Sequence, residues 1–291
     1  MTYFLQQFLN TLQLGSIYAL IALGYTMVYG ILTMINFAHG DLFMVGAFIC
    51  FLAATFLGLS FVPTLLLSIV TVAILGVVIE RLAYRPLRNA PRVSAIITAL
   101  GIGLFLENAT LALSPYPKHV PTLLANTTWT IHGVSISSLQ ILVILLAVGL
   151  MLLLGLLVRH TLTGIAMRAI SWDRAVVPLM GVPTDRIISI TFAVGAGLAG
   201  AAGTLYSLAY PVIDPYMGIM LGWKAFISAV VGGIGRIRGA MLGGFILAGV
   251  EVFVAAFLPS TYRDFVAFAL LLVLLIFRPY GILGRPQVQK V

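Results

Sequence analysis

Nine apolar runs, separated by four clusters of basic residues, decide what this chain can fold into. The runs lie near 8–31, 41–58, 61–80, 93–113, 139–158, 187–209, 216–235, 239–258 and 264–277. A membrane span needs about 20 apolar residues. Only 24 of the 291 residues are charged, 16 Lys+Arg and 8 Asp+Glu. A soluble domain is closer to a quarter charged, and its surface could not be solvated with so few. A mean hydropathy of +1.13 agrees. The expectation is an all-α, polytopic membrane protein with 8–9 membrane-embedded segments, some broken or re-entrant, forming one transmembrane domain over 1–291. A secreted domain, a disulfide scaffold (Cys50 is the one cysteine) and a cytosolic enzyme are excluded.

The charges orient the runs. Arg81, Arg85, Arg88 and Arg92 form one basic group, and Arg159, Arg168, Arg174 and Arg186 a second. Arg236 with Arg238 forms a third, and Arg278, Arg285 and Lys290 a fourth. Basic loops stay on the cytoplasmic side. Alternating the nine runs from an outside N-terminus puts all four groups inside, and Lys118 and Arg263 outside. The net charge of +8 therefore reads as topology and not as nucleic-acid binding. No basic region precedes the first run, so a secretory signal is not expected. Before Arg81, one broken helix could replace two spans. Residues 114–138, with Pro115, Pro117, Pro121 and Trp129, read as an external loop, a plain connector or a landing surface. Gly195, Ala199 and Gly203, and Gly239 with Gly243 and Gly244, predict close helix packing.

Ionisable groups at membrane depth are expensive and usually face an interior path. Asn36, His39 and Asp41 interrupt an apolar stretch. They read as a helix break beside a pathway, or as a cytoplasmic turn in which Asp41 caps the next helix. Glu107 and Asn108 lie about 22 Å along a helix from Arg92. They could line a cavity or pair near the outer interface. Lys224 is 12 residues from Arg236, about 18 Å of helix, so it cannot reach the far side of a core about 30 Å thick. It needs a partner, with Asp214, Glu107 and Glu251 as candidates, or it meets a passing polar substrate.

Residues 159–186 form a long cytoplasmic loop. Within it, Ile165, Ala169 and Trp172 share one face at helical spacing, bracketed by Gly164, Pro178 and Gly181. A short amphipathic helix is expected, resting on lipid or fitting a groove on a soluble partner. Thr184 or Asp185 could cap the following span. No G-x-x-x-x-G-K-[ST] loop, H-E-x-x-H or paired cysteine occurs, so no ATP-hydrolysing or zinc chemistry is expected of this chain.

At this point the sequence resembles the permease subunits of ABC importers for branched-chain amino acids. The likeness is carried by Leu14 to Gly30, Met34 to Gly40, Glu80 to Arg88, Asp214-Pro215-Tyr216, Lys224-Ala225-Phe226, Gly232 to Gly235 and Pro279 to Pro286. It implies two homologous permeases in a bacterial inner membrane, two cytoplasmic ATPases that bind ATP and Mg, and a periplasmic substrate-binding protein, with lipid around them. It implies no cofactor in this chain. It places ATPase coupling at Gly164, Met167, Arg168, Ala169, Trp172, Asp173 and Gly181. The usual Glu of the ABC permease signature is absent here, so position carries that assignment. Asn36, His39, Glu107, Asn108, Tyr216 and Lys224 are the expected pathway residues. A stand-alone ion-coupled transporter or channel, with His39, Asp41 and Glu107 as a relay, is the competing reading. A membrane enzyme is disfavoured because no catalytic constellation stands out.

Overall fold

The computed structural model describes residues 2–88, 90–174 and 176–284. Ala175, Arg285, Pro286 and Lys290, which the sequence reading used, lie outside them. Nine helices coincide with the nine apolar runs: α1 Thr2–Leu32, α2 His39–Phe56, α3 Phe61–Ile79, α4 Arg92–Leu113, α5 Ser138–His160, α7 Thr184–Ala209, α8 Met217–Gly232, α9 Ile237–Phe257 and α10 Tyr262–Phe277. A tenth helix, α6 Leu162–Trp172, lies in the long loop. Seven are long and apolar enough to cross a membrane, and α8 and α10 are shorter, at 16 residues each. Three separate helices therefore precede Arg81.

The expected external loop carries two small antiparallel ribbons. β2 Thr128–Ile131 pairs with β3 Val134–Ser137, and β1 Lys118–His119 pairs with β4 Val212–Ile213. The second ribbon ties that loop to the turn before α8. Gln6 accepts a hydrogen bond from the Ser135 N–H, which places the start of α1 at the same end. The described residues of the first two basic groups gather at the opposite end, where Arg85 and Arg88 pair with Asp185 and Arg168 bonds the Arg159 carbonyl.

The centre is built from small residues. Lipid tails give helices no hydrophobic reason to associate, so backbones must come close enough for dispersion and polar contacts. At the crossing of α2, α3 and α7, a Cβ on Gly46 would sit 2.6 Å from Gly200 Cα, and one on Gly203 would strike the Phe43 carbonyl. The Ser68 hydroxyl lies 3.1 and 3.0 Å from the Gly46 and Gly200 carbonyls and donates between them. Gly244 meets Ala19 in the same way where α9 crosses α1.

Candidate functional site

Three polar sites follow the bundle from one end to the other. The central one is the break between α1 and α2. Residues 33–38 are not helical, and Thr33 turns the chain with φ of 52°. The His39 ring packs on Tyr25 at 4.7 Å and against Gly24, which itself meets Gly195 of α7. Gly24 lies eight residues before the end of α1, and Gly195 eleven after the start of α7. At 1.5 Å per residue these are about 12 and about 16 Å from the basic end. The chain therefore re-enters the bundle before α2 begins, and a cytoplasmic turn is ruled out. Asp41 does not cap α2. The N-cap position is Ala38, which makes no side-chain bond, and Asp41 sits in the first turn.

Glycine allows this arrangement. A Cβ on Gly40 would strike the Gly218 carbonyl and lie 2.6 Å from Gly222 Cα, so α2 starts against the backbone of α8. Asn36 is buried and accepts from the Tyr84 hydroxyl at 2.9 Å. The carboxyls of Asp41 and Glu107 meet at the wall of a cavity of about 190 Å³, which Tyr25, Phe37 and Trp223 also line. Asp41 Oδ1 is buried without a partner. Asn108 turns away, exposed, and bonds the Leu104 carbonyl; Tyr216 is exposed at the start of α8. Of the six expected pathway residues, Asn36 and His39 thus belong to the break, and Glu107 joins Asp41 at the cavity. Asn108 and Tyr216 lie on the outer surface, and Lys224 belongs to a different group.

Lys224 is ion-paired. Its Nζ lies 3.0 Å from Glu251 Oε2 and 2.9 Å from Asp264 Oδ1. The Tyr18 hydroxyl donates to the same Glu251 oxygen at 3.0 Å. Glu251 was among the candidate partners; Asp264, in the first turn of α10, was not, because nothing in the sequence brings α10 beside α8. Above this group, at the end away from the basic clusters, opens a cavity of about 440 Å³.

At the basic end, α6 packs against α5. The Thr161 hydroxyl caps it, accepting from Gly164 N–H at 3.0 Å. A Cβ on Gly164 would meet the Leu157 and Val158 carbonyls, so glycine is what lets α6 fold back. The buried face is Gly164, Met167 and Ile170. The stripe expected from spacing lies on the other side: Ile165 and Trp172 are exposed and Ala169 is half-buried. Arg168 is exposed and donates to the Arg159 carbonyl, and Asp173 Oδ1 accepts from Val176 N–H at 3.2 Å. Gly181, with φ of 76°, ends a 3-10 turn over Val177–Met180 whose Leu179 and Met180 are exposed.

Asp185 and Thr184 do not cap α7. The carboxylate of Asp185 takes Arg85 and Arg88, and the Thr184 hydroxyl bonds Val182 O. Arg88 also pairs with Glu80, which accepts from Ser189 at 2.6 Å. Glu80 opens a π-helical turn, Glu80–Tyr84, which adds a residue to the ladder at the end of α3 and turns Tyr84 in toward Asn36. The same cluster reaches the loop after α6. Partial burial and the nearby Arg88 charge lower the pKa of Arg174, with Asp185 opposing.

Residues 7–275 match the family described as the branched-chain amino acid transport system permease component. The chain is 46% identical over 302 residues to the high-affinity branched-chain amino acid transport system permease protein BraD of Pseudomonas aeruginosa, covering 99% of this chain and 98% of that one. It is 44% identical over 303 residues to the permease protein LivH of Escherichia coli, with the same coverage. A probable LivH of Methanocaldococcus jannaschii is 28% identical over 287 residues, 93% of this chain and 89% of that one. No solved structure matches. Near-complete coverage by these relatives, on a bundle of membrane-length helices, establishes that the chain belongs to the branched-chain amino acid transport permease family.

Proposed function

We propose that this chain is one membrane subunit of an ATP-driven importer of branched-chain amino acids in a bacterial inner membrane. A second homologous permease completes the pathway, two cytoplasmic ATPases bind ATP and Mg, and a periplasmic binding protein delivers the substrate. The chain itself is non-catalytic and holds no cofactor. One observation carries the reading beyond kinship. α6 is anchored through Gly164, Met167 and Ile170, while Ile165, Trp172, Leu179 and Met180 stand out at the basic end. An anchored helix with an exposed apolar stripe suits docking into a groove on a soluble partner. Closure of the ATPases would then push on α5 and, through the Asp185–Arg88–Glu80 chain, on α3 and α7. Arg168 and Asp173 hold the ends of the stripe, and Gly181 ends the segment.

The facing carboxyls of Asp41 and Glu107 favour one rival, a stand-alone transporter that moves a proton with its solute. Purification of the tagged chain from native membranes separates the two. The importer reading expects a second permease and two ATPases to co-purify, and uptake in proteoliposomes to need ATP and the binding protein. Uptake by the lone chain, driven by a proton gradient without ATP, would establish the rival instead.

A further inference from the structure

The cavity of about 440 Å³ at the end away from the basic clusters lies within the roughly 300–1,000 Å³ range of small-molecule pockets. It is framed by α1, α9 and the start of α10, with Tyr210 from the end of α7. Glu251 forms part of its lining although that residue is 98% buried. Its Oε2 takes both Tyr18 and Lys224, which leaves Oε1 buried with no partner. A buried carboxylate oxygen without a donor is costly, so it invites one. Arg263 lines the same cavity, is exposed, and has no carboxylate within ion-pair distance among the described residues. The remaining wall is divided. Gln7, Asn10 and Gln13 give it a polar edge, and Leu14, Val252 and Ala255 an apolar one.

The formal charges balance: Lys224 and Arg263 against Glu251 and Asp264. A net anion or cation would meet a like charge at one edge. A molecule carrying both charges, with an apolar side chain, can set each charge beside its opposite. We infer that this cavity is a receiving site for the amino acid itself, with its carboxylate on Arg263, its ammonium toward Glu251 and its side chain against Leu14, Val252 and Ala255. The inference rests on the importer reading, which makes this end the periplasmic one. It gives the pathway a first stop inside the permease, distinct from the Asp41–Glu107 cavity between α2, α4 and α8.

The test uses the complete assembly in proteoliposomes, with saturating loaded binding protein and tritiated leucine. The readout is leucine moved per ATP hydrolysed. Arg263→Ala is expected to lower that ratio about tenfold, the scale of one hydrogen bond to a charged group. Arg263→Lys restores most of it, and ATP hydrolysis stimulated by the binding protein stays at the wild-type rate. Glu251→Gln should lower the ratio similarly. Arg263 is exposed and unpaired, so its alanine variant folds even where the Glu251 variant does not. An unchanged ratio in Arg263→Ala, beside normal wild-type uptake, overturns the site and leaves the importer standing. A fall in hydrolysis that matches the fall in transport also overturns it, since a structural role would do that. Absence of ATP-driven leucine uptake in the wild-type assembly overturns the importer reading and the site together.

Discussion

α1, α2 and α7 are all but enclosed, with 83%, 61% and 78% of their central windows buried, whereas α4 and α5 have only 22% and 28% buried. Hydropathy does not explain the contrast. The most apolar window of the seven belongs to α5, and the enclosed helices are the less apolar ones. Size does. The enclosed helices meet through Gly24, Gly46, Gly195, Gly200 and Gly203, whose missing side chains admit a neighbour's backbone. α4 and α5 present Leu104, Phe105, Leu145, Leu152 and Leu153 outward. In water, apolar residues go inside. In lipid both environments are apolar, and the small and the polar go inside.

The contrast breaks most visibly at its centre. Gly203→Val drives a β-carbon into the Phe43 carbonyl, with two methyl groups still to place, and backbone cannot rotate away. The loss exceeds the ~3 kcal/mol typical of overpacking, and no folded protein should be recovered in mild detergent. A monodisperse Gly203→Val peak on size exclusion would show that the crossing is looser than described.

Lys224→Met strands the Glu251 carboxylate, whose side chain is 3% exposed. Breaking a buried pair from one side costs about 3 kcal/mol, and replacing both sides is often neutral. The single variant should therefore melt well below wild type, and Lys224→Met with Glu251→Leu should recover most of the loss. If the double variant melts lower still, the group is more than a structural pair.

At the basic end the expected loss is one of binding. Trp172→Ala should weaken ATPase affinity by about 2 kcal/mol, as exposed tryptophan anchors do. Arg168→Ala should reduce substrate-stimulated hydrolysis by less. Equal affinity and equal stimulated hydrolysis in both variants would remove α6 as the coupling element.

The smallest effect belongs to the periphery. Gly101, Gly149 and Gly155 have nothing within 4 Å of an added Cβ. Gly149→Leu should shift stability by no more than about 1 kcal/mol, in the direction helix propensity favours. If it leaves the melting curve intact and stops co-purification of a second permease, that face is the contact between subunits.

The nine apolar helices were legible, seven of them as spans, because a span must be long and apolar, and the basic residues mark their ends. That Lys224 needs an anion was legible for a similar reason, since a buried cation demands one, but not which of Asp214, Glu107 and Glu251 it takes. The depth of Asn36–Asp41 was not, because the same polar residues suit a surface turn. Only the contacts with Gly24 and Gly218 decide it. Nor was the outward stripe of α6 legible as outward, because spacing identifies a face without saying what covers it. Asp264 and Arg263 were hidden for want of any sign that α10 packs beside α8.

The re-entry ahead of α2 also has a consequence in time. Gly40 and Asp41 find Gly218 and Gly222 only after those residues are made, roughly 180 positions later. At about 5–20 residues per second, that is a wait of about 10–35 s. During it, the buried start of α2 has α1 beside it but lacks the wall that α8 supplies. Its polar first turn must stay in water or against the insertion machinery until α8 arrives. Assembly of the centre is therefore tied to the last third of synthesis, and a chain truncated before Met217 should be recognised as unfinished and degraded.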